Sequence, residues 1–287
     1  MKTIRLNNGI EMPALGYGVF QITDPDACKR CVMQAIETGY RLFDTASAYQ
    51  NEQAVGDGCH AMIDQRKVKR EDLFITTKVW LQDFGAGRTK GSVEKSLAKM
   101  GLDYLDLVLL HQPFGNWQDA WKELEELYHS GVIRTIGVSN FNEKKMKQLL
   151  KIAYVLPAVN QIERHPFFAQ NMYMNWMKKK GIQLESWGAL NEGMREIFRN
   201  PVLMEIGGKY GKTAAQTAIA WNIQTGSSAL IKTVRKEKME EDFDVFDFIL
   251  SDEDMARIAA LDERYSEIID LDSPVTERLL LKSEFHA

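Results

Sequence analysis

Short apolar runs alternate with longer stretches in which apolar residues recur every three or four positions, and the alternation persists along the whole chain. A short apolar run reads as a buried strand, and a longer amphipathic stretch as a helix packed over it. The strand candidates are residues 15–18, 42–44, 73–77, 105–110, 135–138, 158–161, 183–186 and 229–231. Helical patterns fall between them, at 24–38, 89–100, 116–129, 143–150 and 212–225. Asp24-Pro25 is a start signal, and Gly101, Gly131 and Gly226 are stop signals. Ahead of all this, residues 3–6 and 10–12 flank Asn7-Asn8-Gly9, which predicts a hairpin that could cap one end of the fold.

Eight strand–helix units predict a parallel sheet wrapped by helices, and the count fits a (β/α)₈ TIM barrel with a short N-terminal β-hairpin. No linker or low-complexity segment interrupts residues 1–287, so one domain is expected. A doubly wound sheet would need G-x-G-x-x-G after its first strand. Here Gly16-Tyr17-Gly18 runs into Val19-Phe20-Gln21 without the third glycine, and Gly85-Ala86-Gly87 follows the third strand. Both glycine pairs are read as turns.

Composition narrows the function classes. Lys and Arg total 36 against 40 Asp and Glu, for a net charge of −4, so no basic face for nucleic acid is expected. No stretch approaches the ~18 apolar residues of a membrane span, and residues 1–8 lack the apolar core of a signal peptide. Cys28 and Cys31 form a C-x-x-C pair inside an amphipathic helix with no second pair elsewhere; packing is favoured over a redox or metal role. A cytoplasmic, monomeric protein without a metal is the expectation.

In a barrel of this kind, chemistry sits at the C-terminal ends of the strands. The second predicted strand ends in Asp44, with Tyr49 one loop turn on; Lys78 directly follows the third, and the fourth leads into His111. Each alone has an ordinary reading: a helix cap, a solvated lysine, a satisfied core histidine. Spaced by one repeat each, they meet at one rim. A Tyr has a pKa of about 10 and is a weak acid at neutral pH. An ammonium nearby lowers that value. Lys78 could supply the charge, Asp44 could hold Lys78, and His111 could orient a substrate oxygen. Such a set suits protonation of an alkoxide, the acid half of carbonyl reduction. The hydride half needs a nicotinamide.

Several segments together resemble the aldo-keto reductases, in particular bacterial reductases of the diketogluconate and methylglyoxal type. They are Gly39-Tyr40-Arg41-Leu42-Phe43-Asp44-Thr45-Ala46 with Tyr49, Asn51 and Glu52; Thr77-Lys78-Val79-Trp80; Leu105-Asp106-Leu107 with Leu110-His111; Ile136-Gly137-Val138-Ser139-Asn140-Phe141; and Asn160-Gln161-Ile162-Glu163 with His165-Pro166. The resemblance implies that Asp44, Tyr49, Lys78 and His111 are a catalytic tetrad, and that Ser139, Asn140 and Gln161 hold a nicotinamide carboxamide. Trp187 stands where the family stacks an aromatic ring on the nicotinamide. Lys232, Thr233, Arg235 and Lys238 resemble the family's clamp on the 2′-phosphate of NADP(H).

Departures from the family pattern include Ala189 for a proline, Lys238 for an arginine, Asp242 for an amide, Arg164 for an uncharged residue and Leu81 for a polar one. Asp242 is expected to add negative charge near the 2′-phosphate. Phe20, Trp80, His111 and Trp117 are candidates to line a pocket for a small carbonyl substrate, though the three aromatic residues could equally be packing. Residues beyond Leu261 are few and charged, which suggests an open pocket. NADPH-dependent reduction of an aldehyde or ketone is the expected activity. The alternatives are a cofactor-binding regulatory protein of the same fold and a lyase or isomerase using Lys78 as a Schiff-base nucleophile.

Overall fold

A computed structural model describes residues 2–285. The hairpin forms first: β1 (Thr3–Arg5) pairs antiparallel with β2 (Glu11–Pro13), Ile4 opposite Met12. Gly9 takes φ 85° in the turn, a conformation that glycine adopts without a Cβ penalty. Eight parallel strands then close a barrel. They are β3 (Leu15–Gly18), β4 (Leu42–Asp44), β5 (Phe74–Val79), β6 (Leu107–Leu110), β7 (Ile136–Ser139), β8 (Val159–Glu163), β9 (Gln183–Trp187) and β10 (Ser228–Ile231), with β10 pairing back onto β3.

The predicted strands are therefore all present, displaced by a residue or two at most ends. Gly16 and Gly18 are the exception to the turn reading. Both lie in β3, where a Cβ at Gly16 would sit 2.3 Å from Leu42 and 2.6 Å from Leu230, so this glycine makes room for two interior leucines. Gly85, Ala86 and Gly87 do form a left-handed turn, with φ of 72°, 55° and 77°.

Helices α1 (Pro25–Thr38), α2 (Glu52–Asp64), α3 (Arg88–Met100), α4 (Trp117–Ser130), α5 (Glu143–Leu149), α6 (Asn171–Lys179), α7 (Pro201–Lys209), α8 (Ala214–Gln224) and α9 (Lys236–Phe243) surround the strands; α10 (Asp252–Ala259) and α11 (Pro274–Lys282) follow the last of them. The start and stop signals behave as read. The Asp24 side chain accepts from the Ala27 amide at 2.6 Å, and Gly101 and Gly131 end α3 and α4 in the left-handed region. None of these helices is long and apolar enough to cross a membrane.

The core has two parts. A large layer lies between strands and helices and includes buried Cys28, Cys31 and Cys59. Burial pushes the Cys28 and Cys59 thiols up to about 12, which leaves them as inert packing groups. The smaller part fills the barrel's lower interior with Leu42, Phe74, Leu107, Leu109 and Leu230, and Leu6 and Met12 of the hairpin plug it from below. Asn7 and Asn8 fasten the plug through hydrogen bonds to the carbonyls of Pro157 and Arg134. The lower barrel is thus filled mostly by apolar side chains.

Gly56 of α2 lies against the end of α3, where an added Cβ would stand 2.3 Å from the Met100 carbonyl oxygen and 2.5 Å from its Cα. Helix propensity alone favours Ala over Gly by about 1 kcal/mol. Backbone cannot swing aside as a side chain can, so the clash should win. Gly56→Ala is expected to destabilise the fold by about 2 kcal/mol, the middle of the overpacking range. Urea denaturation reads this directly, and a midpoint at or above that of the parent would contradict it.

Candidate active site

The polar upper end of the barrel holds a continuous chain of side chains. Asp44 ends β4, and its Oδ1 accepts from Lys78 Nζ of β5 at 2.5 Å. Lys78 Nζ also reaches the Thr45 carbonyl at 3.1 Å and Tyr49 Oη at 3.3 Å. The lysine head is fully enclosed. Strand register explains the meeting: Asp44 pairs with Thr76 across β4 and β5, two residues from Lys78, and therefore on the same face as Lys78.

Tyr49 is positioned by a buried hydrogen-bond lattice. It ends a single 3₁₀ turn, Ser47–Tyr49. Ser47 Oγ donates to the Lys78 carbonyl at 3.0 Å, and Thr45 Oγ1 donates to Asn51 Oδ1 at 2.7 Å. Asn51 Nδ2 donates in turn to the Val19 and Ile22 carbonyls. Thr77 Oγ1 donates to Glu52 Oε1 at 2.7 Å. Asn51 and Glu52, noticed in the sequence only as part of a resemblance, thus hold the tyrosine's loop.

His111 sits just beyond β6, its amide donating to the Val79 carbonyl at 3.1 Å. Its ring lies edge-on to Trp80, with centroids 5.0 Å apart, and 5.6 Å from the Tyr49 ring. Burial first, and the Lys78 charge second, hold its pKa well below the usual 6.5. The imidazole is therefore neutral. Tyr49 is pushed above the usual phenol value by burial, which outweighs the opposing pull of Lys78. Lys78 acts in the anticipated direction without dominating. Burial also works against the Lys78 charge, but Asp44 and Tyr49 more than offset it, and its pKa ends above the usual value.

Gln161 of β8 extends the chain. Its Nε2 donates to Asp44 Oδ2 and to Glu185 Oε2, each at 2.8 Å. Two carboxyl groups on one NH₂ assign the amide's orientation and leave its carbonyl oxygen to accept. Glu185, in the middle of β9, is fully buried and went unnoticed in the sequence, although a charged residue inside a predicted buried strand was itself a signal. Burial first, then the Asp44 charge, push its pKa up to about 8.

Asp44, Tyr49, His111 and Gln161 line a cleft of about 690 Å³, with Lys78 and Glu185 buried behind them; its size is within the usual range for a small-molecule site. Ser139 Oγ donates to the Gln161 backbone carbonyl, and Asn140, at φ 64°, places its side-chain amide against the His111 backbone carbonyl and Gln112 Oε1. Trp187 Nε1 donates to Asn140 Oδ1 at 2.8 Å, which fixes its ring on the cleft wall. Phe20 lies 4.9 Å from the Tyr49 ring, and Trp80 lines the cleft as well. Trp117 does not line the cleft. It is buried at the start of α4 against Phe141, because that face of α4 turns toward the barrel wall.

The open pocket expected from a short, charged C-terminal segment is also not what forms. The chain after α11 returns across the mouth. Trp80 Nε1 donates to the Ser283 carbonyl at 2.7 Å, the Phe285 amide donates to Gln82, and Gln50 donates to the Phe285 carbonyl. The Phe285 ring stands edge-on to Trp80, at 5.0 Å. Residues 191–199 also border the cleft, through Glu192, Gly193 and Phe198, with Asn191, Glu192, Arg195 and Glu196 at positive φ. Arg195 ties this loop to Glu263, Tyr265 and Glu267.

The basic run after β10 lies at the far end of the cleft. Lys232 lines it and donates to Gln21 Oε1 at 2.7 Å. Thr233 offers its Oγ1 to the Arg235 amide, Arg235 caps α9 with its side chain exposed, and Lys238 pairs with Glu241 at 2.5 Å. Asp242 is buried rather than facing solvent, and burial pushes its pKa up to about 7. Arg164 is likewise buried, donating to Ala169, Asn171, Asn222 and Thr225, so its charge serves packing behind the site.

A family model described as the aldo/keto reductase family matches residues 14–263. The chain is 44% identical over 265 residues to glyoxal reductase of Bacillus subtilis, covering 91% of this chain and 94% of that one. It is 39% identical over 263 residues to the methylglyoxal reductase DkgA of Escherichia coli K12, covering 91% and 93%. Morphine 6-dehydrogenase of Pseudomonas putida is 40% identical over 273 residues, with 90% of each chain covered.

The neutral state of His111 has a consequence for stability. Below about pH 6.5 the unfolded chain protonates this side chain and the folded one does not, so stability drains as pH falls. His111→Asn removes that loss. The stability advantage of the parent over the variant should therefore shrink by up to about 1.4 kcal/mol per pH unit between pH 6.5 and 5. Denaturation curves at several pH values measure it, and an advantage that grows toward acid would mean that the imidazole is charged in the fold.

Proposed function

The chain belongs to the aldo/keto reductase family, and on that premise we propose that it reduces a small aldehyde or ketone with NADPH, Tyr49 donating the proton. The observation that carries this reading is the Asp44–Lys78–Tyr49 chain beside a neutral His111, with Asp44, Tyr49 and His111 lining one cleft. A bound nicotinamide would supply the hydride. The chain's own residues do the rest. Tyr49 keeps its proton in the resting site because burial disfavours the phenolate. Lys78, locked by Asp44, stabilises that phenolate once the proton has moved to the new alkoxide. Neutral His111 directs a ring nitrogen at the carbonyl oxygen and fixes its approach. A lysine held charged in an ion pair is a poor amine nucleophile, which weighs against Schiff-base chemistry.

The residues present suit a nicotinamide dinucleotide. Trp187 offers a fixed aromatic wall, and the Gln161 carbonyl oxygen is oriented to accept from a carboxamide. The cleft runs on to Lys232 beneath the 191–199 loop. Arg235, exposed beside it, gives a 2′-phosphate a partner. The mouth, narrowed by Trp80, Phe20 and Phe285, suits short substrates. Glyoxal and methylglyoxal, for which two of the relatives are named, are the first to test.

Tyr49→Phe keeps the ring and loses the donor. Its kcat with methylglyoxal should fall by about 10²–10⁴, the usual worth of general acid catalysis, while NADPH binding measured by fluorescence stays nearly intact. A variant retaining more than about half of the parental kcat would remove Tyr49 from the acid's role.

Cofactor choice is tested at Arg235. Hydrogen bonds to charged groups contribute about 1.5–3 kcal/mol when well made, and salt screens exposed ones. Lys238 already serves Glu241, so Arg235 should carry most of a preference on the order of 100-fold for NADPH over NADH. Arg235→Gly should raise the Kd for NADPH and leave that for NADH nearly unchanged, an effect that shrinks with added salt. Equal weakening of both cofactors would show that the run is only a solvated helix start.

A further inference from the structure

Glu185 is a buried acid that the reaction as described does not use. It stands in register with Gln161 on β8 and Ser228 on β10. Its Oε2 accepts from Gln161, and its Oε1 has no hydrogen-bond partner among the described residues. The ionisable groups that face it across the barrel are Asp44 on β4 and Lys78 on β5. One cation cannot balance two carboxylates, and the cation is in contact with Asp44. An ionised Glu185 would leave an unpaired oxygen in an enclosed site, which is costly. A proton on Oε1 removes that charge and still lets Oε2 accept from the amide.

We propose that Glu185 is a positioning residue for the reduction: carried as the neutral acid, it shares the Gln161 amide with Asp44 and keeps the Asp44–Lys78 pair electrically balanced, and its ionisation ends the reaction on the alkaline side. The inference rests on the reading of Tyr49 as proton donor. When Glu185 loses its proton, a second negative charge enters the chain that ends at Tyr49. Negative charge disfavours the phenolate, so the phenol becomes a weaker acid and the alkoxide is protonated more slowly. The Gln161 amide then spans two carboxylates, whose mutual repulsion pulls against the geometry that holds Asp44 on Lys78.

Two measurements test this. Infrared spectroscopy of the cofactor-free protein should show a protonated carboxyl band at pH 7 that is absent from Glu185→Gln and that fades in the parent around pH 8. Comparison with the variant separates it from Asp242, the other buried acid pushed upward. In NADPH-dependent reduction of methylglyoxal, the parental kcat should fall above about pH 8. Glu185→Gln keeps a neutral acceptor for Gln161, so its alkaline limb should move up by about one pH unit or more. A purely structural role would alter rate or stability without moving the limb. Superimposable profiles, or a parent with no protonated carboxyl assignable to Glu185 at pH 7, would overturn the proposal. Absence of turnover at every pH would instead remove the reductase reading; the infrared measurement distinguishes that failure because it needs neither cofactor nor substrate.

Discussion

Lys78 and Asp44 meet at 2.5 Å with the lysine head wholly enclosed and the carboxylate nearly so. Removing two charges from water costs several kcal/mol per ion, repaid only when geometry is good and the remaining polar atoms are satisfied. The upper barrel is organised around that requirement. The Thr45 carbonyl takes a second proton of Lys78, Gln161 takes the second oxygen of Asp44, and Glu185 takes the other proton of Gln161. Each polar group added to meet one need creates another, until the chain crosses the barrel from Tyr49 to β9.

The arrangement is possible because buried apolar side chains fill much of the rest of the barrel. Leucines and Phe74 fill the lower interior, and the hairpin seals it through Leu6 and Met12. Water reaches the charged layer from the cleft side. There the C-terminal segment and the 191–199 loop both border the cleft, one clasped to Trp80, Gln50 and Gln82, the other to residues 263–267. Low local polarity results, and it has one cause with several effects: a neutral His111, a Tyr49 that keeps its proton and a Glu185 pushed toward neutrality. The same enclosure that makes the ion pair expensive makes its charge effective at short range.

Much of this was legible in the linear pattern. Strand and helix periodicity, with Asp24, Gly101 and Gly131 as punctuation, is local, and it identified every barrel strand. Asp44, Lys78 and His111 could be grouped because a repeating βα unit returns each strand end to the same rim, so sequence spacing stands in for spatial proximity. The helices that the pattern left unmarked are α10 and α11 outside the repeat, the short α6, α7 and α9, and also the thirteen-residue α2 within it. Of the two readings open for Trp117, pocket or packing, the structure takes packing; a helix's apolar face is visible in sequence but its angle around the barrel is not.

What the sequence by itself determined, then, is what repeats or acts over a few residues: the barrel, the hairpin, the caps and the candidate tetrad. Tertiary structure alone decided what depends on surroundings. It seated Glu185 opposite Asp44 through Gln161, turned Asp242 inward, narrowed the mouth with Phe285 and set the direction in which each acid and base is pushed. The physical reason is that desolvation and charge pairing depend on everything within a few ångströms, and those neighbours come from distant parts of the chain. No local pattern encodes a distance between β4, β8 and β9; only the closed sheet supplies it.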